Sequence, residues 1–240
     1  MESILIEVRT LLKDNIDEHT KDTAQRFFKE KVNVYGVKTS TVTKIAGKTF
    51  QDIKHLGKNK VFQLCEELFH SGVLEESFVA CKWSEYLGEY EEDDFKIFEH
   101  WVNTYVNNWA TCDTLCNHTV GTFIEKYPSY VTRLEDWARS ENMWVRRASA
   151  VSLIIPAKQG LFLEEAFRIT NLLLGDDEDL VQKGFGWLLK EESRTHETKV
   201  FEYVMRNRGI MPRTALRYAI KLMPEEKRKE AMKRVDRKVK

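Results

Sequence analysis

Apolar residues recur along this chain at helical intervals, and alternation of the kind a strand would need is hard to find. Ile4, Leu5, Val8, Leu11 and Leu12 form a first amphipathic stripe. Asp17 is placed to cap a second helix carrying Ala24, Phe27 and Phe28, and NVYGVKTST at 33–41 reads as a non-helical connector. Thr39 to Thr41 are expected to cap the helix that carries Val42, Ile45 and Phe50. Further helices are predicted at about 58–71, 74–88, 93–108 and 109–126, the last ending near Tyr127-Pro128. The remainder run over about 129–140, 143–156, 161–174, 178–192, 195–207, 212–222 and 224–237. The fold class is all-α.

Short helices with one apolar stripe each need neighbours to cover them, which points to stacked helix pairs. A weak internal repeat agrees. WVRRASAVSL (144–153) aligns with LVQKGFGWLL (180–189) at an offset of 36 residues, setting Val145 on Val181, Arg147 on Lys183 and Ala148 on Gly184. MPRTALRYAI (211–220) gives a third echo, with Arg213 ahead of a small residue. The expected architecture is a single domain over 1–240, a right-handed superhelical solenoid of antiparallel HEAT-like or ARM-like helix pairs with a concave groove.

Composition adds little except through charge. With 42% hydrophobic and 32% charged residues the chain is an ordinary globular one, without a run apolar enough for a membrane span or a signal peptide. Its four cysteines lack a zinc-type pairing, and the default setting is a reduced, cytoplasmic one. The formal net charge of zero conceals two poles. From Lys190 to Lys240 sixteen Lys and Arg face eight Asp and Glu, a net of +8, whereas 85–99 holds seven acidic residues and one lysine. A basic region suits a polyanion, although solvated helix faces would look the same.

The candidate chemistry centres on WVNTYVNNWATCDT (101–114), where Trp109 and Asp113 stand one helical turn apart on the same face. Taken alone, Trp109 reads equally as a core residue, Asp113 as a solvated or capping carboxylate, and Arg146-Arg147 as a surface pair with one arginine held by an acid such as Glu141. Jointly, VYGVKTS, NWATCD, WVRRASAV, FGWLLKEES and PRTALRYAI, in that order over nearly the whole chain, resemble the AlkD family of DNA alkylation repair glycosylases, which are HEAT-like solenoids. The resemblance places the functional aspartate on Asp113, the paired tryptophans on Trp109 and Trp187, and the arginine on Arg147. It implies excision of positively charged N3- or N7-alkylated purines from duplex DNA by a monomeric, monofunctional enzyme without metal or organic cofactor.

That chemistry suits those residue types. As the glycosidic bond stretches, positive charge passes to the sugar, and a carboxylate can stabilise it and orient water. Tryptophan faces attract cations, and an arginine can hold a backbone phosphate. Arg146, Lys183 and Arg213 are further expected phosphate contacts. After YGVKTS the chain reads Thr41-Val42-Thr43-Lys44 where related proteins tend to carry proline and arginine, so an early DNA contact is lost or moved to Lys38, Lys44 or Lys48. The competing readings are a non-catalytic binder of damaged or branched DNA and a protein-interaction scaffold.

Overall fold

The computed structural model describes residues 2–233 and divides into two compact units, Met1–Leu115 and Cys116–Lys240. The first unit comprises α1 (Glu2–Lys13), α2 (Glu18–Phe27), α3 (Thr39–Ile53), α4 (Lys58–His70), α5 (Leu74–Leu87), α6 (Phe95–Thr104) and α7 (Trp109–Thr114). The second comprises α8 (Gly121–Lys126), α9 (Val131–Trp137), α10 (Met143–Val151), α11 (Ile154–Lys158), α12 (Leu163–Leu173), α13 (Asp179–Asn207), α14 (Arg213–Ala219) and α15 (Glu225–Met232). A π-helical turn, Leu115–Val120, carries the chain from one unit to the other. The only extended pairing among the described residues is an isolated bridge between Asn33 and Val73, so the chain is all-α.

In the first unit the core is strongly aromatic. Trp83 and Trp101 are fully buried, and each finds a partner for its indole N–H, as buried tryptophans generally do. Trp83 donates to the Ala46 carbonyl at 3.1 Å, and Trp101 donates to the Glu66 carboxylate. Phe62, Phe69 and Phe98 surround Trp101 with ring centroids 5.1–5.8 Å away. The acidic run is spent locally: buried Asp94 and exposed Glu91 hold Lys58 at 2.7 and 2.9 Å, fixing the start of α4.

The connector 33–38 is tied down by a carboxylate. Buried Glu75 accepts the backbone N–H groups of Tyr35, Gly36 and Val37 at 3.0, 2.8 and 3.0 Å. Its neighbour Glu76 accepts the Tyr35 hydroxyl at 2.6 Å and the Arg9 guanidinium at 3.0 Å. Gly36 has φ +94°, and a Cβ there would come within 2.5 Å of the Lys21 side chain and 3.0 Å of the Asp17 carbonyl. YGV is therefore a packed knot between α2 and α5.

Several boundaries differ from the sequence expectation. Asp17 caps α2 as expected, accepting from the Thr20 N–H at 2.7 Å. Thr39 to Thr41 do not cap α3, however; the helix begins at Thr39, and Lys38 occupies the cap with no side-chain bond. The predicted 93–108 helix ends at Thr104, because Asn108 is extended and caps the next one. The predicted 143–156 helix is split between α10 and α11. The segments 178–192 and 195–207 run on as α13, with a kink at His196 (φ −121°, ψ 40°). Of the last predicted helix, 224–237, the part beyond 233 lies outside the described residues. Phe50, on the apolar stripe of α3, is buried with its ring 5.4 Å from Tyr86.

Candidate functional site

α7 begins where it does because of asparagine. Asn108 is extended (φ −151°, ψ 157°), 4% exposed, and its side chain accepts the Thr111 N–H at 2.9 Å. The same amide donates to Asn107 at 3.0 Å and to the Thr111 hydroxyl at 3.1 Å. The cap sets Trp109 at the first helical position, and Asp113 follows one turn later, partly buried.

Trp109 lies half-buried in an aromatic cluster. Its ring stacks on Phe28 at 5.4 Å and 25°, and meets Phe27 edge-on at 5.5 Å. Beneath it opens a cavity of about 390 Å³ lined by Phe27, Phe28, Val37, Glu75, Phe78 and Trp109. Phe27 is 66% exposed, an unusual position for a large apolar ring. Phe27 and Phe28 read in the sequence as the ordinary apolar stripe of α2, and nothing in their spacing linked them to Trp109, some eighty residues away.

The second unit holds the other expected residues on α10 and α13. Arg147 is 5% exposed, its Nη1 donating to the Leu180 carbonyl and its Cγ packing where a methyl at Gly184 would lie 3.4 Å away. One turn beyond Gly184, half-buried Trp187 donates its indole N–H to Glu191 at 3.0 Å, and the Lys190 ammonium stands 5.6 Å from the ring centroid. Glu191 also pairs with Lys190 at 2.8 Å and with Arg194. Burial opposes the charge on Glu191, yet hydrogen bonds from Lys190, Arg194 and Trp187 hold its carboxyl below the usual range. The spacing of Glu191 from Trp187, four residues on a helix, was legible; its role as the indole's anchor was not.

Adjacent Glu192 is the opposite case. It is fully buried, neither carboxylate oxygen has a hydrogen-bond partner among the described residues, and burial together with the charge of Glu165 pushes it up to about 8. α13 is also approached closely from its other side, since a Cβ on Gly186 would meet the Ala215 carbonyl and the Tyr218 Cβ at 2.8 Å.

The expected phosphate contacts fall into two groups. Arg146 is engaged internally: it pairs with Asp176 at 2.5 Å and donates to the carbonyls of Ser140 and Glu141 at 2.9 Å. Its acidic partner is thus Asp176, with Glu141 contributing only backbone. Lys183 pairs with Asp179 at 2.7 Å along α13. Arg213 is exposed and donates to the Met232 carbonyl at 3.2 Å, while Lys38 and Lys44 are exposed in the first unit. So Trp109 and Asp113 share α7, Arg147 and Trp187 share the α10–α13 packing, and the two pairs belong to different units. Trp83, Trp101 and Trp137 are buried packing residues. Cys112 and Cys116 are buried thiols, and among the described residues no group of His, Cys, Asp and Glu is placed to hold a metal ion. No described helix is long and apolar enough to cross a membrane.

A half-buried indole beside a carboxylate can hold a cationic group against an apolar wall. A search of curated proteins returned no match. The solved structure of a predicted DNA alkylation repair enzyme from Enterococcus faecalis is similar in fold, with a TM-score of 0.78 over 88% of this chain and 98% of that one at 16% identity. The family model for DNA alkylation repair enzymes matches residues 8–223, running through both units and all four expected site residues. The chain belongs to the DNA alkylation repair enzyme family.

Proposed function

We propose that this protein is a monofunctional DNA glycosylase that excises cationic N3- and N7-alkylated purines from duplex DNA, with both units forming one repair domain. The observation that carries the reading is Asp113, a partly buried carboxylate one turn from the aromatic face of Trp109, in a family of alkylation repair enzymes. In the proposed reaction the cationic base is already a good leaving group. As its bond to C1′ lengthens, Asp113 stabilises the oxocarbenium-like sugar and orients the attacking water. Trp109 and Trp187 supply faces that attract the cation. Arg147 supports the site from within the α10–α13 packing, and Lys38, Lys44, Lys183 and Arg213 draw the duplex through its phosphates. The reaction needs no metal or organic cofactor, and the acting form is a cytoplasmic monomer.

The test is release of free base from duplex DNA carrying 7-methylguanine, followed by chromatography against the spontaneous rate. Release well above that rate is the expected result. Binding without release by a folded protein would sink the glycosylase and leave a damaged-DNA binder. Absence of salt-dependent duplex binding would leave a protein scaffold.

A further inference from the structure

A second concavity in the first unit shares no lining residue with the cavity under Trp109. It is a cleft of about 940 Å³ bounded by the start of α1 and by α4 and α6, with Leu5, Phe62 and Ile97 on its apolar floor and Glu2, Glu66 and Glu67 on its rim. The two basic side chains on the rim are already engaged. Lys96 pairs with Asp93 at 2.8 Å, and His100 bonds to Glu66 at 3.0 Å. Glu66 is held in place by Trp101 and Tyr105 as well as His100, and these donors outweigh burial to keep its carboxyl below the usual range. Glu2 and Glu67 have no ion pair among the described residues. The cleft therefore joins an apolar floor to a rim of uncompensated negative charge.

Its form narrows the occupant. Apolar side chains from α1, α4 and α6 lie between carboxylates on one side of this cleft. An apolar groove between helices receives the ridge of an amphipathic helix, read as anchors at i, i+3 or i+4, and i+7. A carboxylate rim selects lysine or arginine beside that ridge and repels acidic partners. We propose that the α4–α6 cleft docks a basic amphipathic helix of a partner protein, with apolar anchors on Leu5, Phe62 and Ile97 and flanking cations against Glu2 and Glu67. The surface is independent of the base-excision reading.

The probe is a fluorescein-labelled helical peptide of about fourteen residues, with leucines at i, i+3 and i+7 and lysines elsewhere. Its binding to the full chain is followed by anisotropy. Saturable binding is expected, weakened at least tenfold by Ile97→Asp and by Glu67→Lys, and unchanged by Glu202→Lys, the same charge change on the second unit. Ile97→Asp is checked for folding by its thermal transition, and exposed Glu67 carries the test if that variant unfolds. Equal binding of a peptide with its leucines scattered, or of a glutamate-for-lysine version, overturns the proposal. So does indifference to both cleft variants. A concentration-dependent dimer abolished by Glu67→Lys would make the occupant a second copy of this chain and overturn the assignment to a partner.

Discussion

The two tryptophans expected at the site are held in opposite ways. Trp109 is fixed by apolar contact, stacked on Phe28 and edged by Phe27 over a small cavity. Trp187 is fixed by charge: Glu191 takes its indole N–H, and Lys190 and Arg194 hold Glu191. An aromatic cluster leaves the ring's open face free of polar demands but depends on several residues far apart in sequence. A charged anchor is local, lying within eight residues of one helix (187–194), and is open to titration and salt. Equivalent residue types thus rest on different physics, and substitutions separate the two.

The largest effect is expected at Asp113. If it stabilises the transition state, Asp113→Asn lowers single-turnover base release by about 10²–10³ with duplex affinity nearly unchanged. Equal activity would remove Asp113 from the mechanism. Next comes the knot under the Trp109 cavity. Glu75→Ala orphans three backbone N–H groups at once, two of them buried, and is expected to cost about 3 kcal/mol or more in denaturant unfolding. A loss below about 1 kcal/mol would show that water replaces the carboxylate easily.

On the other side, Glu192 supplies the pH test. Its carboxyl rises from 4.5 unfolded to about 8 folded, so the native state holds a proton that the unfolded chain releases. Stability is then full below about pH 4.5 and falls as the pH climbs to about 8, by on the order of a few kcal/mol. Glu192→Gln should flatten that fall, raising the midpoint of thermal unfolding at pH 8.5 with little change at pH 4.5. An unchanged slope would assign the pH dependence elsewhere. The smallest effects contrast the two anchors directly. Phe27→Ala is expected to cost about 0.5–1.5 kcal/mol regardless of salt. Arg194→Gln, at a half-exposed pair, is expected to cost about 1 kcal/mol or less, vanishing in 1 M salt.

Much of the fold was legible because helical periodicity survives any tertiary arrangement. The Asp17 cap and the non-helical stretch at 33–38 followed from local rules, whereas the two helices expected at 178–192 and 195–207 are one helix kinked at His196. What escaped was non-local or a matter of backbone detail. Glu75 gives no sign in sequence that it will gather N–H groups about forty residues away. The side chains of Thr39 to Thr41 favour capping, yet the knot at 35–37 fixes Lys38 at the cap instead. The π-helical turn at 115–120 carries the same apolar spacing as an α-helix and left no trace. At the site, nothing in the spacing marked Asn108 as the cap of α7. Arg147 looked like a surface cation and is buried against α13.

The bare Cα of Gly186 has an implication for how this sequence can drift. Helices α13 and α14 meet there with no room for a methyl group, the obstacle being the Ala215 backbone and the Tyr218 Cβ. No flexible tip can swing aside. Positions 186, 215 and 218 are consequently linked: a side chain gained at the first demands a shift of backbone carrying the other two. Variation in this corner of the protein should therefore arrive in concert, as a coupled set of changes, and neighbouring Trp187 would be carried along with it.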